Sequence, residues 1–141
     1  MFFTEEEQKR IISAIKEAEK NTSGEIKVHI TNSSQNENVV KQAAHVFDQL
    51  GLHKTKQRNG VLIYIATDDR QFAIWADDGI NKAVPEDFWE STVALMRDHM
   101  KAGQYAEALI KGIQLIGVKL KMYFPFEKND LNELSDDISF G

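Results

Sequence analysis

The stretch "GVLIYIATDDRQFAIWADDG", residues 60–79, carries the clearest indication of this chain's fold. Its first half contains VLIYIA, a nearly continuous apolar run that is expected of a central strand buried on both faces. Its second half contains QFAIWA, which follows after only the residues TDDR. Because such a short connection joins neighbouring strands, we expect an antiparallel hairpin.

Another strand, the first in the chain, and a connecting helix are predicted upstream of this hairpin. The segment EIKVHIT, residues 25–31, alternates apolar and polar side chains, as a half-buried strand does. Residues 39–50 carry apolar side chains at helical spacing, and Gly51 is a good C-terminal stop. Since a helix separates the first two strands, we expect them to be parallel and joined by a right-handed crossover.

The remaining segments predict helices on both sides of this sheet. Thr4 followed by three glutamates is a helix start. Residues 86–103 are predicted to form a helix that stops at Gly103, and residues 105–124 a helix that is ended by Pro125. We therefore expect one domain over residues 1–125 with an α/β fold. It is a three-layer α/β/α sandwich, with a small mixed β-sheet of three or four strands flanked by helices on both faces. Residues 126–141 are predicted to form an acidic, flexible tail.

Composition and charge exclude several classes of protein. The absence of cysteine excludes a disulfide framework, a thiolate metal site and a cysteine nucleophile. The net charge of −5 leaves no broad basic face, which argues against nucleic-acid binding. No apolar run approaches the roughly 18 residues of a membrane span, and the N-terminus lacks the pattern of a signal peptide. We therefore expect a cytoplasmic location and no transmembrane segment.

The predicted topology brings several polar residues to one edge of the sheet. Parallel strands enter from the same edge, and the antiparallel third strand leaves there, whereas Asp68 and Asp69 should lie at the opposite edge. An oxygen-rich cluster of this kind suits a hard cation such as calcium. The residues expected to form it are Glu25, Asn59, Asp77 and Asp78.

Other interpretations of these residues remain open from the sequence alone. Asp-Asp-Gly also suits a turn or the cap of the next helix, and its spacing does not match an EF-hand loop. Arg58, with Lys54 and Lys56, could hold phosphate, although a solvated loop is the commoner explanation. There is no Walker-type loop and no Gly-x-Ser-x-Gly elbow. The residues alone therefore do not demonstrate an enzyme.

Several linked motifs, in order over residues 4–125, resemble one known family, the TPM domain. They are "SGEIKVHI", "RNGVLIYIATDDRQFAIWADDGI", "FWESTVALMRDHMKAGQYAEALIKGIQLIGVKL" and the closing "YFP". That family includes a thylakoid lumen protein linked to photosystem II repair, a nematode acetylcholine-receptor modulator and many bacterial proteins. The resemblance implies an α/β/α sandwich, in agreement with the interpretation above.

The resemblance also implies binding of a divalent cation, usually calcium, with magnesium as the second choice. The family's acidic position after the third strand matches Asp77, with Asp78 as its neighbour, and its Asn-Gly matches Asn59 and Gly60. We expect a non-catalytic calcium-binding module that supports the assembly or maintenance of membrane-associated proteins through a protein partner. The alternative is a metal-assisted acid phosphatase, an activity ascribed to the plant branch, in which Arg58 orients the phosphate. The segment "ADDGIN" departs from some relatives by lacking the glutamate of their Gly-x-Gly-Leu-Glu motif.

Overall fold

A computed structural model describes residues 2–35, 37–127 and 136–141 of the chain. Helices and strands alternate over residues 5–66, with a short 3₁₀ turn, Leu52–Lys54, before the second strand; a third strand, three consecutive helices and a short fourth strand follow. The elements are α1 Glu5–Glu19, β1 Glu25–Thr31, α2 Val39–Gln49, β2 Gly60–Ala66, β3 Gln71–Ala76, α3 Asp78–Ala83, α4 Glu90–Lys101, α5 Tyr105–Tyr123 and β4 Ser139–Phe140.

The four strands form one mixed sheet in the order β3-β2-β1-β4. Strands β1 and β2 are parallel, with Glu25 opposite Gly60, and β2 and β3 are antiparallel, with Val61 opposite Ala76. The predicted parallel pair and the predicted hairpin are therefore confirmed. In the described part of the chain, a mixed sheet is accompanied by five α-helices, which confirms the predicted α/β class.

Residues 24–82 and 136–141 form a compact unit that contains the sheet. Helix α2 packs on β2 and β3 through an apolar cluster, because its apolar positions recur on one helix face. All seven residues of β2 are buried, which confirms the prediction of a central strand buried on both faces. The cluster consists of Ala43, Val46, Phe47, Leu52, Leu62, Tyr64, Ala66 and Ala73.

Residues 2–23 and 83–127 form a second compact unit built from α1, α4 and α5. The predicted start of α1 is confirmed, since Thr4 and Glu7 exchange the two hydrogen bonds of a capping box. Helix α5 approaches its neighbours closely at two glycines: a Cβ at Gly112 would lie 2.6 Å from the Met96 sulfur, and one at Gly117 would lie 2.8 Å from the Cβ of Ala18.

Two elements differ from the sequence prediction. The helix predicted from residue 86 begins at Glu90, because hydrogen-bonded turns from Pro85 to Phe88 and from Asp87 to Glu90 occupy the residues before it. At the C-terminus, β4 pairs with β1 at His29 and Ile30, which the prediction of a flexible tail over residues 126–141 does not include. Residues 128–135 of that segment lie outside the described residues. Among the described residues, no helix is both long and apolar enough to cross a membrane.

Candidate functional site

The start of β1, the start of β2 and the end of β3 meet at one edge of the sheet. The backbone N–H of Glu25 donates to the Asn59 carbonyl (3.3 Å), and that of Asp77 donates to the Gly60 carbonyl (3.0 Å). The four residues predicted to cluster therefore lie on adjacent chain segments. This convergence follows from strand direction alone, which is why the topology predicts it.

Their side chains differ in exposure. Glu25, Asn59 and Asp77 are buried, and Asp77 is only 5% exposed. The side chain of Asp78, in contrast, is 71% exposed. The edge therefore presents one surface carboxylate in front of three buried polar side chains.

Arg58 forms a bidentate ion pair with Asp77. Its Nε donates to Asp77 Oδ2 at 2.7 Å and its Nη2 to Asp77 Oδ1 at 2.8 Å, a geometry in which the planar guanidinium matches the carboxylate. The same Nη2 lies 4.0 Å from Asp78 Oδ2. The hydrogen bond to Asp77, followed by that residue's charge, raises the pKa of Arg58 further above its usual range. Sequence reasoning missed this pair, although opposite charges on segments that meet at one edge were a usable signal.

The loop before β2 crosses closely over the start of α3. It turns tightly, since Arg58 N–H donates to the Thr55 carbonyl (3.2 Å) and Asn59 N–H donates to Thr55 Oγ1 (3.1 Å). A Cβ added to Gly79 would lie 2.5 Å from the Arg58 carbonyl oxygen, and the Gln57 carbonyl oxygen is closer still. Glycine is therefore required at position 79, and two main-chain carbonyl oxygens lie against the first turn of α3.

Asp77 also organises the turn from β3 into α3. Its Oδ1 accepts a hydrogen bond from Asp78 N–H at 2.8 Å, and its carbonyl accepts from the N–H groups of Ile80 and Asn81 at 3.0 and 3.1 Å. The interpretation of the Asp-Asp-Gly segment as a helix start is therefore confirmed for Asp77. The backbone bonds hold its carboxylate in one place, so the same residue positions a fixed negative charge at this edge.

The candidate metal ligands at this edge are oxygens, from carboxylates, the Asn59 amide and main-chain carbonyls. Oxygen ligands are what calcium and magnesium prefer, so the chemistry of the set fits these ions. In the part of the chain that the structure describes, no three side chains of His, Cys, Asp or Glu are grouped to hold a metal ion. Both oxygens of Asp77 are engaged by Arg58. The fit therefore depends on main-chain oxygens and on whether Arg58 stays on Asp77.

Asp68 and Asp69 lie at the opposite edge, as predicted. Asp69 Oδ2 accepts hydrogen bonds from the N–H and the Oγ of Ser34 (2.9 and 3.0 Å), and its oxygens also accept from Ser33 Oγ. These bonds, with that from the Ser34 backbone as the largest cause, lower the pKa of Asp69. Arg70 N–H donates to the Thr67 carbonyl, which closes the hairpin turn. The Asp69 carboxylate therefore orders the loop after β1.

A concave region lies at the carboxyl ends of β1 and β2. It is a cleft of about 380 Å³ bordered by His29, Tyr64, Ser139 and the polar face of α2. The His29 ring stacks on Tyr64 (centroids 5.6 Å apart), and its Nδ1 lies 2.9 Å from Ser139 Oγ. Burial, with a smaller effect of Lys27, lowers the pKa of His29. Sequence reasoning missed this cleft because it needs β4, which is too short to be recognised from periodicity.

Comparison with known proteins places the chain in a family. The family model of the TPM domain matches residues 1–119. The solution structure of the BA42 protein from the psychrophilic bacterium Bizionia argentinensis is 45% identical, with a TM-score of 0.94 over 100% of this chain and 97% of that one. A search of the curated proteins finds no match.

Two more distant solved structures share the fold. The N-terminal domain of a P. gingivalis protein has a TM-score of 0.72 at 18% identity, covering 87% of this chain and 79% of that one. The N-terminal domain of the cg2496 protein from Corynebacterium glutamicum has a TM-score of 0.67 at 12% identity, covering 82% and 72%. Since the family match spans most of the sequence, this chain belongs to the TPM domain family.

Proposed function

We propose that this TPM domain is a non-catalytic module that binds a divalent cation, calcium in preference to magnesium, at the edge where β3 leads into α3. Asp77 and Asp78 supply most of the negative charge, Glu25 a further carboxylate and Asn59 a neutral oxygen. Main-chain carbonyls and water complete the six to eight oxygens that calcium takes. The observation that carries the proposal is the placement of the Gln57 and Arg58 carbonyl oxygens against the turn that bears the two aspartates.

The character of these oxygens favours calcium over magnesium. They come from three different segments, the start of β1, the loop before β2 and the turn into α3, and they mix carbonyls with carboxylates. Calcium accepts irregular sets of this kind, whereas magnesium demands near-octahedral geometry and gives up its water reluctantly. The exposed carboxylate of Asp78 offers a route of entry from solvent. Calcium is therefore expected to bind more tightly than magnesium.

Calcium titration, followed by calorimetry and by amide NMR, tests this proposal. Wild type is compared with Asp77→Asn/Asp78→Asn and with a matched control, Asp68→Asn/Asp69→Asn, which removes the same charge from the opposite edge. We expect wild type and control to bind calcium, with shifts at residues 57–59 and 77–80, and the first variant to lose binding. Absence of binding to wild type in the millimolar range, or shifts confined to residues 68 and 69, would refute the placement.

The cellular part of the proposal is support for the assembly or maintenance of membrane-associated proteins through a protein partner. It rests on the resemblance to the family. It is compatible with the exposed apolar side chains of Val118 and Met122, 63% and 75% exposed, which lie one turn apart on α5 and are free to contact another protein. A partner recovered from detergent-solubilised membranes with calcium, and lost with chelator or with Asp77→Asn/Asp78→Asn, would support it. Recovery of the partner that is unaffected by chelator and by Asp77→Asn/Asp78→Asn would contradict a calcium-dependent role.

The alternative, a metal-assisted phosphomonoesterase, needs Arg58 to orient a substrate phosphate. Here its guanidinium is bound to Asp77 by two short hydrogen bonds, so the same donors are not directed at a substrate. We expect wild type, with calcium or magnesium, to hydrolyse aryl phosphates no faster than the Asp77→Asn variant, at both acid and neutral pH. Hydrolysis by wild type that this substitution abolishes would favour the alternative.

A further inference from the structure

We infer that Arg58 neutralises Asp77 in the proposed cation site when no metal is bound. Its guanidinium and a divalent cation then exclude each other on the Asp77 carboxylate. Cation uptake then requires Arg58 to leave the carboxylate, and Arg58 sets the affinity. This inference rests on the proposed cation site and adds to it the residue that competes with the ion. It starts from one observation, the bidentate pair at 2.7 and 2.8 Å on a carboxylate that is 95% buried.

The carboxylate of Asp77 has little capacity left for an ion. Each oxygen accepts one N–H from Arg58, and Oδ1 also accepts the Asp78 N–H. Calcium binds carboxylate oxygens at about 2.3–2.6 Å, which would bring its double positive charge to within a few ångströms of the guanidinium. Around a buried carboxylate, water and salt screen this repulsion poorly. The two cations are therefore not expected to share Asp77.

The two partners differ in freedom of movement. The Asp77 backbone is held by its N–H bond to Gly60 and by the bonds that its carbonyl accepts from α3. The Arg58 side chain is 48% exposed and extends from a backbone in the left-handed region, with φ of 52°. A guanidinium can move into water at small cost, whereas the carboxylate can move only with the turn. Displacement is therefore expected to take the form of Arg58 swinging outward.

The first test compares calcium affinities by calorimetry. Arg58→Gln removes the competing charge and keeps a polar side chain. Arg70→Gln is the matched control, because Arg70 is also exposed and left-handed (φ of 54°) but lies in the hairpin turn at the opposite edge. We expect the dissociation constant for calcium to fall by about fivefold in Arg58→Gln, a factor at the upper end of the range for such ion pairs, and to stay within about twofold in the control. Equal or weaker binding by Arg58→Gln would overturn the inference.

A second variant protects the test against misfolding. Arg58→Lys keeps the positive charge but loses the planar fork that engages both carboxylate oxygens. We expect its calcium affinity to lie between those of wild type and Arg58→Gln, and the metal-free melting temperatures to rank in the reverse order. At saturating calcium the melting temperature of Arg58→Gln should approach that of wild type. A deficit of the same size with and without calcium would mean that Arg58 is purely structural, contrary to the inference.

Wild-type protein supplies a direct readout through the Arg58 Nε–H signal in NMR spectra, assigned by its loss in Arg58→Gln. Without metal this proton is held on Asp77 Oδ2. During calcium titration, we expect it to shift and to exchange faster with water, in step with the amides of Asp78 and Gly79. If those amides shift while the Arg58 signal stays unchanged, calcium binds beside an intact pair and only the competition is refuted. If neither wild type nor Arg58→Gln binds calcium, both proposals fail.

Discussion

Replacing Gly79 by alanine tests the close crossing of two chain segments on which the proposed site depends. Intrinsic propensity predicts that Gly→Ala in a helix stabilises the protein by up to about 1 kcal/mol. The structure predicts the opposite sign. The new Cβ would lie 2.5 Å from the Arg58 carbonyl oxygen and closer to that of Gln57, and both obstacles are backbone atoms that cannot rotate away.

The expected size follows from the cost of overpacking. Forcing an extra methyl group into a packed position typically costs about 1–3 kcal/mol. After subtracting the gain in propensity, we expect a net loss of up to about 2 kcal/mol, which is a fall in melting temperature of up to about 8 °C for a chain of this length. Because the loop must move away, the two carbonyl oxygens also leave the proposed cation site. Calcium affinity should therefore fall together with stability.

Thermal unfolding followed by circular dichroism, with and without calcium, measures both effects. Lys82→Ala is the control, since it changes an exposed position of the same helix and introduces no Cβ where there was none. We expect the control to melt close to wild type and to keep its calcium response. A Gly79→Ala variant that melts at or above the wild-type temperature would show that the crossing loop yields without cost, and the steric argument would be wrong.

Three further outcomes are expected. A ligand that binds only the native state stabilises it by about 2.7 kcal/mol when its concentration is 100 times its dissociation constant, so calcium should raise the wild-type melting temperature by about 5–10 °C. Asp77→Asn/Asp78→Asn should abolish this rise, and a full rise in that variant would exclude this edge as the calcium site. The pKa of Asp69 is lowered in the folded state, so its contribution to stability is present above its unfolded pKa of 3.8 and is lost as pH falls through the folded value. Asp69→Asn should melt lower than wild type at neutral pH, and the difference in melting temperature should close in acid; a difference independent of pH would contradict this. The pKa of His29 is also lowered, so the imidazole is protonated at a higher pH in the unfolded chain than in the folded one, and stability should decline as pH falls below about 6.5. His29→Gln should flatten the plot of melting temperature against pH between pH 7 and 5, and an unchanged slope would refute the role of His29 in this decline.

Much of the sheet was predictable because its signals are local. The apolar run of β2 is continuous and the connection to β3 is short, so the hairpin needs no knowledge of distant residues. The helix between β1 and β2 makes that pair parallel, since a crossover returns the chain to the same edge. Once strand directions are known, the convergence of Glu25, Asn59 and Asp77 follows geometrically. This is why candidate residues could be named before their contacts were known.

The state of the site could not be predicted in the same way. Arg58 reaches Asp77 across 19 positions in sequence, and it does so from a left-handed backbone that no local pattern of non-glycine residues indicates. The requirement for glycine at position 79 likewise comes from carbonyls of a separate loop. Strand β4 contains two residues, too few for any periodicity, and its pairing with β1 depends on contacts more than 100 positions apart.

Periodicity and connection length act over a few residues, so they were enough to predict the class of fold, the hairpin, the parallel pair and the edge at which the acidic residues gather. Three features depend instead on tertiary contacts: the charge that Asp77 meets, the oxygens that face Gly79 and the groups that border His29. These contacts depend on side-chain direction and on loop paths that differ by a few ångströms. Such differences arise from packing between distant segments and leave no periodic trace in the chain.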